Sequence, residues 1–118
     1  MPKTTEIGNL GEKQAVLYLI DKGYEVLQTN WRYKHLEVDI VARLHNQLII
    51  AEVKTRKNDA YGNPESFVSK SKQQKLIRAA QHYLEEHNLN LEIRFDIIAI
   101  TNNTQHIEHI EGAFYAIA

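Results

Sequence analysis

The stretch that decides the fold runs from residue 33 to residue 56. It reads Tyr33-Lys34-His35-Leu36-Glu37-Val38-Asp39-Ile40-Val41-Ala42-Arg43-Leu44, then His45-Asn46, then Gln47-Leu48-Ile49-Ile50-Ala51-Glu52-Val53-Lys54-Thr55-Arg56. Residues 33–44 alternate with period two. Leu36, Val38, Ile40, Ala42 and Leu44 share one face, and Glu37, Asp39, Val41 and Arg43 share the other. His45-Asn46-Gln47 is a turn of hairpin size, and a third strand follows over Gln47–Arg56. The product is an antiparallel meander.

Upstream, residues 5–22 read as a helix that Gly23 ends. Asn9 with Glu12 has capping-box spacing, and Thr4 or Thr5 offers an earlier cap. Residues 24–30 form a short strand. Downstream, residues 57–68 carry Asn58, Asp59, Gly62, Asn63 and Pro64 and read as a loop. Ser71 with Gln74 opens a second helix over about residues 71–88, with an apolar stripe of Leu76, Ala80, Tyr83 and Leu84. Ile93–Ile100 is a strongly apolar strand; Asn102-Asn103 turns the chain into a weaker one near residues 106–110. A helix between the third and fourth strands makes that pair parallel. The expected fold is therefore α/β: an α-β-β-β-α-β chain forming a mixed four-stranded core sheet flanked by helices, with a β tail over residues 101–118.

With 118 residues, 43% hydrophobic and 25% charged, the chain fits one ordered domain spanning residues 1–118. The longest apolar run, Ala15–Ile20, is far short of the ~20 residues of a membrane span. The first residues lack the apolar core of a secretory signal, so a cytoplasmic protein is the simplest reading. No cysteine is present, which excludes disulfides, thiolate zinc sites and cysteine nucleophiles. The net charge of −1 hides an uneven distribution: residues 54–78 carry +5 and the remainder −6. A local basic region can hold a polyanion even in a nearly neutral chain, although a run of this density is more often a solvated face.

The informative acids stand where apolar residues are expected. Glu12 shares a helix surface with Gly8, Ala15, Val16 and Leu19, a small-residue face suited to packing on a sheet. Glu37 and Asp39 share a strand face. Glu52 and Lys54 extend the face of Leu48 and Ile50. The hairpin register places Asp39 across from Glu52, roughly 5 Å apart. Two carboxylates that close repel, and a divalent cation cancels the repulsion. Mg²⁺ takes one or two carboxylates together with waters and phosphate oxygens. Lys54 would then stand beside the metal to orient a water or offset phosphoryl charge. The competing reading is cross-strand salt bridging among Glu37, Asp39, Glu52 and Lys54, with Glu12 as a capping residue.

The order Asp39, hairpin, Glu52-Val53-Lys54 within α-β-β-β-α-β resembles the PD-(D/E)XK, restriction-endonuclease-like superfamily. It is more closely similar to the YraN family of small bacterial nuclease-like proteins. That similarity rests on Gly11-Glu12 with Ala15, Glu37-Val38-Asp39-Ile40, Glu52-Val53-Lys54 with Arg56, Gly62, Lys72, Ala79-Ala80 with Tyr83-Leu84, and Arg94-Phe95-Asp96. It covers about residues 8–100. Leu36 stands where that family usually has glycine; its parity places it on the apolar face. A glutamate on the first helix followed by Asp and Glu-x-Lys also resembles archaeal Holliday junction resolvases. The resemblance implies Glu12, Asp39 and Glu52 as metal ligands, Lys54 as the catalytic lysine and Glu37 as a supporting or alternate ligand. It implies Mg²⁺ or Mn²⁺ as cofactor and an endonuclease hydrolysing DNA, including branched or structured DNA. A non-catalytic nucleic-acid-binding module of the same fold is the alternative. Arg56, Lys70, Lys72 and Lys75 are the expected backbone contacts, helped by the amides at the start of the second helix. Action on two strands suggests a homodimer.

Trp31-Arg32-Tyr33-Lys34 interleaves aromatic and basic residues. The aromatics either cover the core edge or stack on unpaired bases. His82, His87, His106 and His109 diverge in pairs and read as surface residues. Asp96 is expected to pair with a basic side chain.

Overall fold

The computed structural model describes residues 4–56, 68–101 and 106–115, with side chains of the first helix from Leu10 onward. The elements are α1 (Thr4–Asp21), β1 (Glu25–Tyr33), β2 (Leu36–Leu44), β3 (Gln47–Arg56), α2 (Lys70–Glu86), β4 (Glu92–Thr101) and β5 (His106–Phe114). The five strands form one sheet in the order β1-β2-β3-β4-β5. Among the described strands only β3 and β4 run parallel, with α2 between them in the chain. The α/β expectation holds; the tail adds a full edge strand. The readings placed on the loop at 57–67 and on Asn102-Asn103 lie outside the described residues.

The sheet is covered on both faces. One apolar cluster joins Leu48, Ile50, Phe95 and Ile97 to Leu76, Ala79, Ala80 and Tyr83 of α2. The other joins Ile40, Ala42, Ile49, Ala51, Ile98 and Ile100 to Ala15 and Leu19 of α1. Central β3 is therefore buried from Leu48 to Glu52 without a break, as a strand packed on both faces must be. α1 lies close to it: a Cβ at Gly11 would overlap Thr55 Cγ2. The helix ends as expected, with Gly23 at φ +92° and Tyr24 N donating to Leu19 O at 2.9 Å.

Four readings change. The strand expected over 33–44 is broken by a two-residue turn at Lys34-His35, with Lys34 at φ +57°. Trp31 and Tyr33 thus belong to β1, opposite Val38 and Leu36. The alternation of β2 fails below Ile40. Val38 joins the α2-side cluster while Ile40 faces α1, because the ladder with β3 ends at Ile40↔Ala51. The cap of α2 is Ser69, not Ser71: its extended backbone lets the hydroxyl accept from Lys72 N at 3.2 Å. Asn9 and Glu12 lie inside α1, so Glu12 is no capping residue.

Candidate active site

The site grows from the place where β2 leaves β3. The paired residues from Ile40↔Ala51 to Leu44↔Gln47 have the expected register, so Asp39 is next in line opposite Glu52. There the Asp39 side chain takes over the ladder's work: its Oδ2 accepts from Val53 N at 2.8 Å. Without it, that amide would be left unpaired as the strands separate. β1 bends at the same level, where Asn30 has φ +52°. Asn30 Nδ2 donates to Glu12 Oε1 at 2.6 Å, which draws the α1 carboxylate toward the opening.

Glu52 is the last of the buried run on β3 and is only 3% exposed. It lies on the α2 side, following Leu48 and Ile50. Its Oε2 accepts from Lys72 Nζ at 2.9 Å, across from the first turn of α2. Its Oε1 is buried with no hydrogen-bond partner. A buried carboxylate oxygen left this way is costly. Lys54, two residues on, is half-buried at the end of the same strand.

These groups share one electrostatic field. Burial, then the charge of Asp39, pushes the Glu52 carboxyl up to about 7, against the opposing bond from Lys72. Burial also raises Asp39; Val53 N–H, Lys72 and Lys54 oppose the rise, and Glu37 adds to it. Glu12 is raised by burial first and by Asp39 second. Asp39 is thus the group that acts on both other acids. Among the described residues, no three or more His, Cys, Asp or Glu side chains form a ready metal-holding cluster.

The remaining expected residues divide. Glu37 is exposed and pairs with Arg32 at 3.5 Å. Lys70 and Lys75 are exposed on α2, as a phosphate contact requires, whereas Lys72 turns inward to Glu52. Arg56 is turned toward β4 and β5. Its side chain is 7% exposed, 3.9 Å from Glu108 of β5, and Nε donates to Thr101 Oγ1 at 3.4 Å.

The sequence reading missed a second polar cluster. Asp96 does pair with a basic residue: Arg94 Nε and Nη2 reach its two oxygens at 2.9 and 2.8 Å. His109, read as a surface residue, is instead buried, with Nε2 2.7 Å from Asp96 Oδ2 and Nδ1 3.2 Å from Tyr18 OH. Burial pushes the Asp96 carboxyl up. The bonds from His109, Arg94 and Gly112 N–H outweigh it, so the group lies below its ordinary range. Apart from Arg94, its partners His109 and Gly112 lie on β5, far off in the sequence, so only the chain's folding reveals them.

A family model described as "Uncharacterised protein family UPF0102" matches residues 11–100. A UPF0102 protein of Christiangramia forsetii is 50% identical over 117 residues, 98% of either chain. One of Flavobacterium psychrophilum is 44% identical over 117 residues, again 98% of either chain. One of Thermodesulfovibrio yellowstonii is 46% identical over 110 residues, 93% of this chain and 96% of the relative. No helix among the described residues is long and apolar enough to cross a membrane.

Proposed function

We propose that the chain, which belongs to the uncharacterised protein family UPF0102, is a divalent-metal-dependent endonuclease of the restriction-endonuclease-like kind, hydrolysing DNA and suited to branched or structured substrates. The observation that carries the reading is Glu52 Oε1. It is a buried, unpartnered carboxylate oxygen on a central strand covered from both sides, next in register to Asp39. The donor chemistry fits Mg²⁺ or Mn²⁺, which take one or two carboxylates plus water and phosphate oxygens and need no full protein cage. Asp39 and Glu52 would hold the ion, with Glu12 in support and Glu37 as an outer or alternate acid. A bound ion supplies Lewis-acid charge to the phosphoryl oxygens.

The chain's own groups supply the rest. Water adds to phosphorus and gives up a proton to the surrounding solvent, and the P–O bond to the leaving sugar oxygen breaks; that oxygen takes up a proton from solvent, giving a phosphate monoester and a free hydroxyl. Lys54 orients that water or offsets the charge that builds on the phosphate. Lys72 is the cation that Glu52 holds in this structure; an ion at Glu52 would release the ammonium toward the phosphate backbone. Lys70 and Lys75 extend that positive surface along α2. Cutting both strands of a duplex calls for two such sites, so a symmetric homodimer is the proposed working form, to be checked by light scattering.

The test is a Mn²⁺ titration followed by thermal unfolding, then a cleavage assay on branched, nicked and linear DNA. Stabilisation by Mn²⁺ is expected in the wild type and absent in Asp39→Ala and Glu52→Ala. Cleavage is expected to need metal and to fail in Lys54→Ala. A wild type that neither gains stability with Mn²⁺ nor cuts any of these substrates refutes the reading.

A second reading is favoured by two contacts: Asp39 satisfies Val53 N–H and Glu52 already has Lys72. On that reading the chain would be a non-catalytic nucleic-acid-binding module. It predicts binding of branched DNA in EDTA, falling steeply with salt, and no cleavage under any condition.

A further inference from the structure

The turn between β1 and β2 leans against α2 and leaves a cleft of about 260 Å³, lined by Tyr33, Lys34, His35, Leu36, Lys75 and Arg78. Among the described residues that line it, three are permanent cations, one is a histidine and none is a carboxylate. The nearby acid Glu37 is held by Arg32. Lys34, His35, Lys75 and Arg78 are exposed, while Tyr33 and Leu36 are half-buried. Such a lining fits an anion with an apolar part. The volume falls just short of the ~300–1,000 Å³ of sites for small molecules, so the cleft has room for a single small unit of a strand and none for a duplex.

The tyrosine belongs to an aromatic group. Tyr33 lies 4.8 Å from His82 and 6.2 Å from Trp31, with Trp31 and Tyr33 rings inclined by 26°. Trp31 in turn stacks on His82 at 16° and meets Tyr83 edge-on at 5.1 Å. Lys34 Nζ sits 5.4 Å from the Tyr33 ring centre. A base released from its pair has a free face to lay on such a ring, whereas a closed duplex presents along its length only its backbone and base edges. The cations also step along α2 away from the acidic site. Lys72, Lys75 and Arg78 follow each other at three-residue steps, about 9 Å along the helix axis from first to last, and Lys72 is the residue bonded to Glu52.

We infer that this cleft takes an unpaired nucleotide of a DNA strand, its phosphate among Lys34, Lys75 and Arg78 and its base against Tyr33. The inference rests on the proposed function only in taking that strand to be part of the substrate. It names the feature for which branched DNA is chosen: a single-stranded segment about one helix turn or two from the acids.

The test uses a fluorescently labelled oligothymidylate and a blunt duplex of equal length, in EDTA at low salt, read by anisotropy. Trp31 is the only tryptophan, so its emission reports the aromatic group directly. The expected results are quenching of Trp31 by the single strand, and tighter binding of the single strand than of the duplex. Tyr33→Leu is expected to weaken the single strand at least about fivefold, the lower end for a lost base stack. The double variant Lys34→Ala/Arg78→Ala is expected to flatten the salt dependence by about 0.7 in log–log slope, the value for one phosphate on a single strand. Both replaced cations are exposed, so this variant carries the test if Tyr33→Leu does not fold. Unchanged binding in the double variant, equal or tighter binding of the duplex, or equal competition by polyglutamate overturns the inference. Metal-dependent cleavage is assayed in parallel. Cleavage with normal single-strand binding in the cleft variants overturns the inference and leaves the proposed function standing. Binding lost in the cleft variants of a protein that never cuts does the reverse.

Discussion

Glu52→Gln should make the metal-free protein more stable at alkaline pH, an unusual outcome for loss of a buried ion pair. The Glu52 carboxyl is pushed from 4.5 to about 7, first by burial and then by Asp39. A group raised on folding favours the folded state while protonated and loses that advantage as pH climbs through the folded value. At ~1.4 kcal/mol per unit, the ionised form costs roughly 3 kcal/mol at pH 8. About 2 kcal/mol of this is lost between pH 5 and pH 8, because ionisation of the unfolded chain is already under way at pH 5. For a domain of this size the loss corresponds to a fall in Tm of about 8 °C. Glutamine keeps the shape and cannot ionise. Lys72, one-third exposed, can turn its ammonium to water. Thermal unfolding in EDTA at both pH values should therefore show a steeper decline for the wild type than for Glu52→Gln, with the variant ahead at pH 8. Adding Mn²⁺ at about 100 times its Kd should return ~2.7 kcal/mol to the wild type alone. Parallel declines in EDTA would refute the reasoning, since they would mean that Glu52 carries its charge at no cost.

Asp39→Ala strands Val53 N–H and should cost about 1–3 kcal/mol, whereas Asp39→Asn keeps an acceptor there; denaturant unfolding should rank the two, with both losing the Mn²⁺ response. Gly11→Val drives a branched side chain into Thr55 and should destabilise by about 1–3 kcal/mol through overpacking, measured by the same method. Asp96→Ala leaves Arg94 and His109 without their shared carboxylate and should cost about 3–5 kcal/mol. Because Asp96 is lowered on folding, its contribution in the wild type is present above the ordinary carboxylate range and lost as pH falls below it, which acid unfolding of wild type and variant would show.

The β2–β3 hairpin was legible because two independent signals agree on it. Period-two alternation fixes the faces, and the tight turn at His45-Asn46 fixes the register that sets Asp39 opposite Glu52. The β1–β2 turn was hidden because Lys34 and His35 carry none of the usual turn residues, although Lys34 adopts φ +57°. With it went the placement of Trp31 and Tyr33, and so the cleft they help to form. Ser69 and Ser71 are equivalent as letters; only the extended backbone at Ser69 distinguishes the cap. The surroundings of His109 and Arg56 were hidden for one shared reason. Their partners, Asp96 for the first and Thr101 and Glu108 for the second, come from other strands. Strand periodicity gives a side chain's direction and says nothing about what waits there.

The same distinction bears on why an acid stands at position 52. β3 is buried on both faces there, and a well-packed aliphatic residue in place of a buried ion pair is often neutral or stabilising by ~1–4 kcal/mol. Against total stabilities of ~5–15 kcal/mol, a buried charge costing about 3 is a large fraction. Lys72 answers for one oxygen of Glu52 and Val53 N–H for one oxygen of Asp39. Neither answers for Glu52 Oε1, nor for two neighbouring carboxyls that burial raises, Glu52 being raised further by the charge of Asp39. A purely structural role would be met by any pair that relieves this repulsion, and glutamine at either position would relieve it. A role that requires both charges at once needs a partner of higher charge than one ammonium, and a divalent cation is the simplest such partner.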